Sequence, residues 1–213
     1  MNVMNVYEIL LNHFGHQCWW PVSHKFRPRE FEVCAGAILT QNTNWKNVEK
    51  ALELLYKNGM RTPEKIAVAD IKKLEEAVVP SGFYRQKAQR LKNFSMFVMS
   101  FGGFAEFAKD VTRQDLLSLS GLGPETADSM LLYALGRRVF VIDAYTKRTF
   151  VRLGFRACEG YEEWRRFFEA EVTEDVDLYK EFHALIVELA KNFCRTKPFC
   201  RKCPLNKICA KKI

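Results

Sequence analysis

The chain has 213 residues, 48% apolar and 27% charged, which excludes a disordered chain and allows one large or two small domains with a buried core. No apolar run approaches the roughly 20 residues of a membrane span. Met1–Phe14 carries Glu8 and lacks both a basic start and a small-residue cleavage site, so the expected location is cytoplasmic and nucleoid-associated.

In chain order, Phe31, Cys34, Ala35, Ile38 and Leu39 form an apolar stripe at helical period. Thr40-Gln41-Asn42-Thr43 interrupts it with turn and cap formers, and Trp45, Val48, Leu52 and Leu55 resume the period up to Asn58-Gly59. After Pro80-Ser81-Gly82, Ala88, Leu91, Phe94, Phe97 and Val98 make another stripe, and Thr112 with Asp115 forms a capping pair. Val139–Ile142 is a four-residue apolar run that looks like a strand but reads equally as buried coil or helix. Without internal repeats or a Gly/Ser linker, the pattern predicts an all-α fold.

The 33 bases and 25 acids give a net charge of +8, unevenly spread. Residues 194–213 hold Arg195, Lys197, Arg201, Lys202, Lys207, Lys211 and Lys212 with no acid, which leaves 26 bases and 25 acids for the rest. Arg85, Lys87, Arg90 and Lys92 occupy an acid-free stretch from Ala77 to Ala105. Arg137, Arg138, Lys147, Arg148, Arg152 and Arg156 surround Asp143 alone between Ser129 and Cys158. Segregation of this kind suits a polyanion-binding face.

Two motifs carry chemistry. Leu119-Ser120-Gly121-Leu122-Gly123-Pro124-Glu125-Thr126-Ala127 predicts a tight turn between short helices, its glycines leaving backbone N–H groups open to a phosphate. Cys194, Cys200, Cys203 and Cys209 follow a C-x5-C-x2-C-x5-C spacing, and seven cysteines in all make an odd total unsuited to a disulfide framework. The quartet points to a bound metal: a [4Fe–4S] cluster by the wide flanking gaps, with zinc as the minor alternative. Asp143 reads both as a helix N-cap and as a carboxylate able to stabilise a developing cation. Trp19, Trp20, Pro21 and Trp45 read as core or as a stacking pocket for a planar ligand, and Phe83 with Tyr84 as a loop contact or a wedge at a duplex.

The hairpin, Val141-Ile142-Asp143 and the C-terminal cysteines together resemble the endonuclease III superfamily of helix–hairpin–helix DNA glycosylases, in order and spacing across nearly the whole chain. The resemblance implies two helical domains with DNA and the base pocket in the cleft between them. An N-terminal segment, 1–24, would pack with a C-terminal domain, 136–213, whose cluster loop is 194–209. A helical barrel, 25–135, would end in the hairpin motif at about 112–135. It further implies Asp143 as the essential aspartate, a [4Fe–4S] cluster on Cys194, Cys200, Cys203 and Cys209, and a monomer acting on duplex DNA with a damaged base.

Where bifunctional members carry a nucleophilic lysine, this chain has Glu125, which removes the Schiff-base route to strand cleavage. The first cysteine gap is five residues where endonuclease III usually has six. Trp20-Pro21, Leu39–Thr43, Pro80–Tyr84 and Gly123-x-Glu125-x-Ala127-Asp128 resemble the bacterial 3-methyladenine DNA glycosylase branch, whose known member lacks the cluster. That likeness implies monofunctional excision of an alkylated base. Trp20, Pro21 and Trp45 would hold the base and Glu125 would favour a cationic one. Gln41 or Phe83 would fill the vacated stack, and Gly121, Leu122, Gly123, Thr126 and Lys147 would contact DNA. The alternatives are excision of oxidised pyrimidines or mismatched thymine, and a non-catalytic DNA-binding iron–sulfur module.

Overall fold

The computed structural model describes residues 2–155 and 157–211. Arg156 and Lys212, counted in two of the basic stretches, lie outside them. Among the described residues the architecture is all-α, with no strand. The helices are α1 (Val3–Phe14), α2 (Arg29–Leu39), α3 (Trp45–Lys57), α4 (Pro63–Ala67), α5 (Ile71–Val78), α6 (Tyr84–Ser100), α7 (Phe104–Asp110), α8 (Arg113–Ser118), α9 (Pro124–Ser129), α10 (Ala144–Leu153), α11 (Gly160–Glu171) and α12 (Val176–Asn192).

Local chemistry sets most of the starts. Side chains of Asn44, Thr62, Asp70, Asp143 and Asp175 accept a first-turn backbone N–H at the heads of α3, α4, α5, α10 and α12. Thr112 and Asp115 form a reciprocal capping box on α8.

The chain divides into two compact units, Met1–Trp19 with Gly136–Ile213, and Trp20–Leu135. Residues 20–24, expected with the N-terminal segment, therefore cluster with the second unit, and the boundary separates Trp19 from Trp20. In the second unit the core is aromatic. Phe31 of α2 stacks on Phe94 of α6 at 6.3 Å, and Phe94 meets Phe107 of α7 edge-on at 5.6 Å. In the first unit Phe140 stacks on Phe168 at 4.4 Å, and Phe150 and Phe182 close around them, all four fully buried. Each such ring contributes roughly 1.5–3 kcal/mol of burial.

Val139–Ile142 resolves as buried extended coil. Its partners are not another strand: Val139 N–H donates to Arg137 O at 3.0 Å, and side chains take two further donors. Phe140 N–H donates to Glu169 Oε1 at 3.1 Å and Ile142 N–H to the Tyr161 hydroxyl at 3.3 Å.

Candidate active site

In the Trp20–Leu135 unit, the Trp20 ring lies edge-on to Trp45 at 5.4 Å and tilted against Tyr133 at 5.1 Å. Gly36 of α2 leaves room for the two indoles to pack closely. A methyl there would stand 3.2 Å from Trp45 Cη2 and 3.3 Å from Trp20 Nε1, so that the two indoles would have to shift by a few tenths of an ångström. Pro21 and Trp45 line one pocket with Val22, Ser23, Glu32, Glu49, Leu52 and Glu53. Glu32 is 2% exposed. Its Oε1 accepts from Ser23 N–H at 2.6 Å, while its buried Oε2 and the buried Trp45 Nε1 have no hydrogen-bond partner. One indole, Trp45, bordered by the Glu32, Glu49 and Glu53 carboxylates forms a setting for a flat, electron-poor ligand, with Trp20 packed against Trp45 rather than lining that pocket.

Gly36 and Glu32 escape sequence inspection. A glycine inside an apolar helix and a glutamate in its first turn are ordinary there, and only the tertiary packing gives them meaning.

The hairpin runs from α8 through Leu119–Gly123 into α9, with a π turn, Met130–Ala134, after it. Gly121 sits at φ 86°, where only glycine is unstrained, whereas Gly123 is extended with open space beside its Cα. Leu122 is buried and anchors the turn. Thr126 is buried as well, and its hydroxyl accepts from Gln41 Nε2 at 3.0 Å. Glu125 is exposed on the first turn of α9 and does not line the Trp45 pocket.

Gln41 is tied down on every polar atom. Nε2 also donates to Gly121 O at 3.0 Å, and Oε1 accepts from Arg90 Nη1. Phe83 contrasts with it. It precedes α6 with φ 47° and is 64% exposed, a strained and outward apolar side chain.

In the other unit, Asp143 caps α10. Its Oδ1 accepts from Thr146 N–H at 2.7 Å and from the Thr146 hydroxyl at 2.8 Å. Oδ2 lies 3.6 Å from His183 Nε2, with the Asp143 side chain 12% exposed. Burial pushes the carboxyl pKa up. The nearby His183 imidazole and the two Thr146 hydrogen bonds outweigh that, holding it below the ordinary aspartate value. The cap and the poised carboxylate are thus one structure. His183 carries no signal in sequence: it sits within the apolar run of α12, forty residues from Asp143. Lys147, also on α10, lies 5.8 Å over the Tyr161 ring.

The four cysteines surround one pocket with Arg152, Phe193, Pro198 and Lys211. Burial raises the Cys203 thiol pKa, and the Cys194, Cys209 and Cys200 thiols add to the effect, as expected of sulfurs brought together. Two bases of α10 hold the loop. Arg148 Nε donates to Cys194 O at 2.9 Å, and Arg152 donates to Arg195 O at 2.6 Å, to Thr196 O at 3.0 Å and to Cys194 Sγ at 3.6 Å. Lys211 N–H donates to Cys209 Sγ at 3.3 Å. Thiol donors with N–H groups and a guanidinium directed at sulfur fit a thiolate-ligated iron–sulfur group. Among the described residues no group of three or more His, Cys, Asp or Glu side chains is arranged, as it stands, to hold a single metal ion.

A helix–hairpin–helix followed by a capped aspartate on an all-α scaffold defines the helix–hairpin–helix class of DNA repair proteins. The chain belongs to the HhH-GPD superfamily of base excision DNA repair proteins, whose family model matches residues 35–174, and it is a DNA glycosylase of base excision repair. It is 46% identical over 217 residues to a Methanocaldococcus jannaschii protein assigned as a DNA repair glycosylase, covering 99% of this chain and 96% of that one. It is 30% identical to the endonuclease III of Thermotoga maritima, covering 89% and 86%. The H. pylori 3-methyladenine DNA glycosylase solved with 1,N6-ethenoadenine superposes with a TM-score of 0.75 at 33% identity, covering 90% and 98%. Among the described residues no helix is long and apolar enough to cross a membrane.

Proposed function

We propose that this glycosylase is monofunctional and monomeric, and that it flips an alkylated base such as 3-methyladenine out of duplex DNA and hydrolyses its N-glycosidic bond. The Trp20–Trp45 assembly beside the carboxylate-bordered pocket carries this reading, because a methylated purine is flat and cationic. The 33% identity to a 3-methyladenine glycosylase solved with a modified adenine supports it.

A cationic base leaves readily. The electron pair of the C1′–N bond moves onto the base and neutralises it, so no acid is needed at the leaving group. Asp143 then stabilises the oxocarbenium-like sugar, and a water molecule adds to C1′ and gives its proton to the carboxylate or to solvent. Glu125, in place of a lysine, offers no amine for a covalent intermediate. Backbone amides around Gly121–Gly123 grip a phosphate, and Lys147 contributes charge from α10. Phe83, exposed and strained, is better suited than the tethered Gln41 to enter the stack. Cys194, Cys200, Cys203 and Cys209 would hold a [4Fe–4S] cluster, which when bound supplies four iron–thiolate cross-links to the C-terminal loop.

Free-base release from duplexes carrying 3-methyladenine, ethenoadenine, oxidised pyrimidine or mismatched thymine tests the reading. Release of the methylated base with no borohydride-trapped covalent complex is expected. Release of only the pyrimidines would replace it with an endonuclease III-like activity, which the 30% identity to that enzyme favours as second reading. Tight binding with no base released from any duplex would leave a DNA-binding module. Iron and acid-labile sulfide content decides the cluster against zinc.

A further inference from the structure

One face of α6 touches three segments that the proposed function brings to DNA. Phe83 stands at its start. One turn on, Lys87 is 1% exposed, and its ammonium donates to Leu39 O at 2.9 Å and Ser81 O at 2.5 Å. Leu39 ends α2 immediately before the Thr40–Thr43 turn, and Ser81 immediately precedes Gly82-Phe83. The ammonium therefore pins the two turns to each other.

About one turn further, Arg90 donates to Gln41 Oε1, and Gln41 passes the connection to the hairpin through Gly121 O and Thr126 Oγ1. The Arg90 side chain also runs directly against Gly121. A methyl on Gly121 would meet Arg90 Cδ at 2.7 Å and Cγ at 2.9 Å. Gly121 thus serves two ends: its φ of 86° forms the turn, and its missing side chain admits Arg90. Burying an ammonium against neutral carbonyls costs more than burying a methionine of similar length. Burial, and then the nearby Arg90 charge, lower the Lys87 pKa to about 8, a measure of that cost.

We propose that Lys87 and Arg90 are positioning residues that lock the Gln41 turn, the Phe83 wedge and the hairpin into one register, so that phosphate grip and strand insertion act as a single unit. The proposal rests on those three segments meeting DNA, and not on which base is excised. A hairpin gripping phosphate while its wedge floats would bind duplex yet fail to hold a base outside the stack, since unstacking costs a few kcal/mol that only a well-placed insertion offsets.

The test is a double-mutant cycle on the whole protein. Arg90→Met and Gln41→Ala are made singly and together. They are read by single-turnover base release, by 2-aminopurine fluorescence beside the lesion, by affinity for undamaged duplex and by thermal midpoint. Arg90→Met is expected to reduce flipping and excision about tenfold while undamaged-duplex affinity stays within about twofold. Added to Gln41→Ala it should cost nothing further, because methionine keeps the packing against Gly121 and gives up only the hydrogen bond to Gln41. Lys87→Met, which loosens both turns, should reduce flipping even without Gln41.

Equal losses from Arg90→Met in both backgrounds, or unchanged fluorescence, would overturn the proposal. If Lys87→Met does not fold, the Arg90 cycle still decides. If no alkylated base is released at all, the fluorescence arm on any duplex the protein distorts answers separately from the substrate question.

Discussion

Asp143 caps α10 and, in the proposed mechanism, also stabilises the reacting sugar, and the choice of substitution separates the two roles. As an N-cap it supplies an oxygen to Thr146 N–H, which asparagine supplies almost equally well. As a carboxylate it supplies charge, which asparagine lacks. Asp143→Asn should therefore stay within about 0.5 kcal/mol of the parent in denaturant unfolding, whereas Asp143→Ala should lose about 1 kcal/mol. Both should reduce base release on the order of a hundredfold or more. Full turnover by Asp143→Asn would remove this aspartate from the chemistry.

The pH dependence follows from the same contacts. Burial opposes ionisation, but His183 and Thr146 more than compensate, so the folded carboxyl holds its proton less tightly than the unfolded one. Its stabilising contribution is therefore complete above the ordinary carboxylate range. It is lost as pH falls through that range toward the lower folded value. Acid unfolding of Asp143→Asn should show a shallower slope below about pH 4 than the parent, measured by the denaturation midpoint at stepped pH.

The hairpin is held by more than its turn. Arg113 of α8 donates to both carboxylate oxygens of Asp128 on α9, at 2.6 and 3.0 Å, and Asp128 is fully buried. Arg113 is partly exposed and less demanding of its partner, so Asp128→Ala should cost about 2 kcal/mol rather than the larger values of wholly buried pairs. Urea unfolding gives that number, and duplex affinity should fall with it because the hairpin amides lose their alignment. Elements of this kind are readable from sequence when their causes are local. The helical stripes of α2, α3 and α6 and the Thr112–Asp115 box depend on neighbours three or four positions away. Val139–Ile142 is different: Glu169 and Tyr161, distant in the chain, decide that it becomes coil. The site divides the same way. Asp143 is visible by its cap position, while His183, Glu32, Gly36 and the Arg90–Gln41 contact become meaningful only after folding brings far segments together.

At the scale of the whole molecule, the net charge of +8 and the cysteine loop are one problem, because the tail holding most of the excess is the tail that holds the cysteines. Its described bases, Arg195, Lys197, Arg201, Lys202, Lys207 and Lys211, are all exposed. Arg148 and Arg152 bind the backbone of residues 194–196, so α10 carries Asp143 at one end and steadies the cysteine loop from the other. Exposed bases beside the cysteine loop are either general solubilising charge or phosphate contacts, and salt distinguishes them. Each base neutralising a phosphate adds about 0.9 to the slope of log affinity against log salt concentration. Replacing Arg201 and Lys202 together with glutamine should therefore lower that slope by close to 1.8, with iron content, thermal midpoint and single-turnover excision at saturating protein unchanged. An unaltered slope would assign these bases to solubility. A changed slope with lost iron would mean that they support the cluster before they meet DNA.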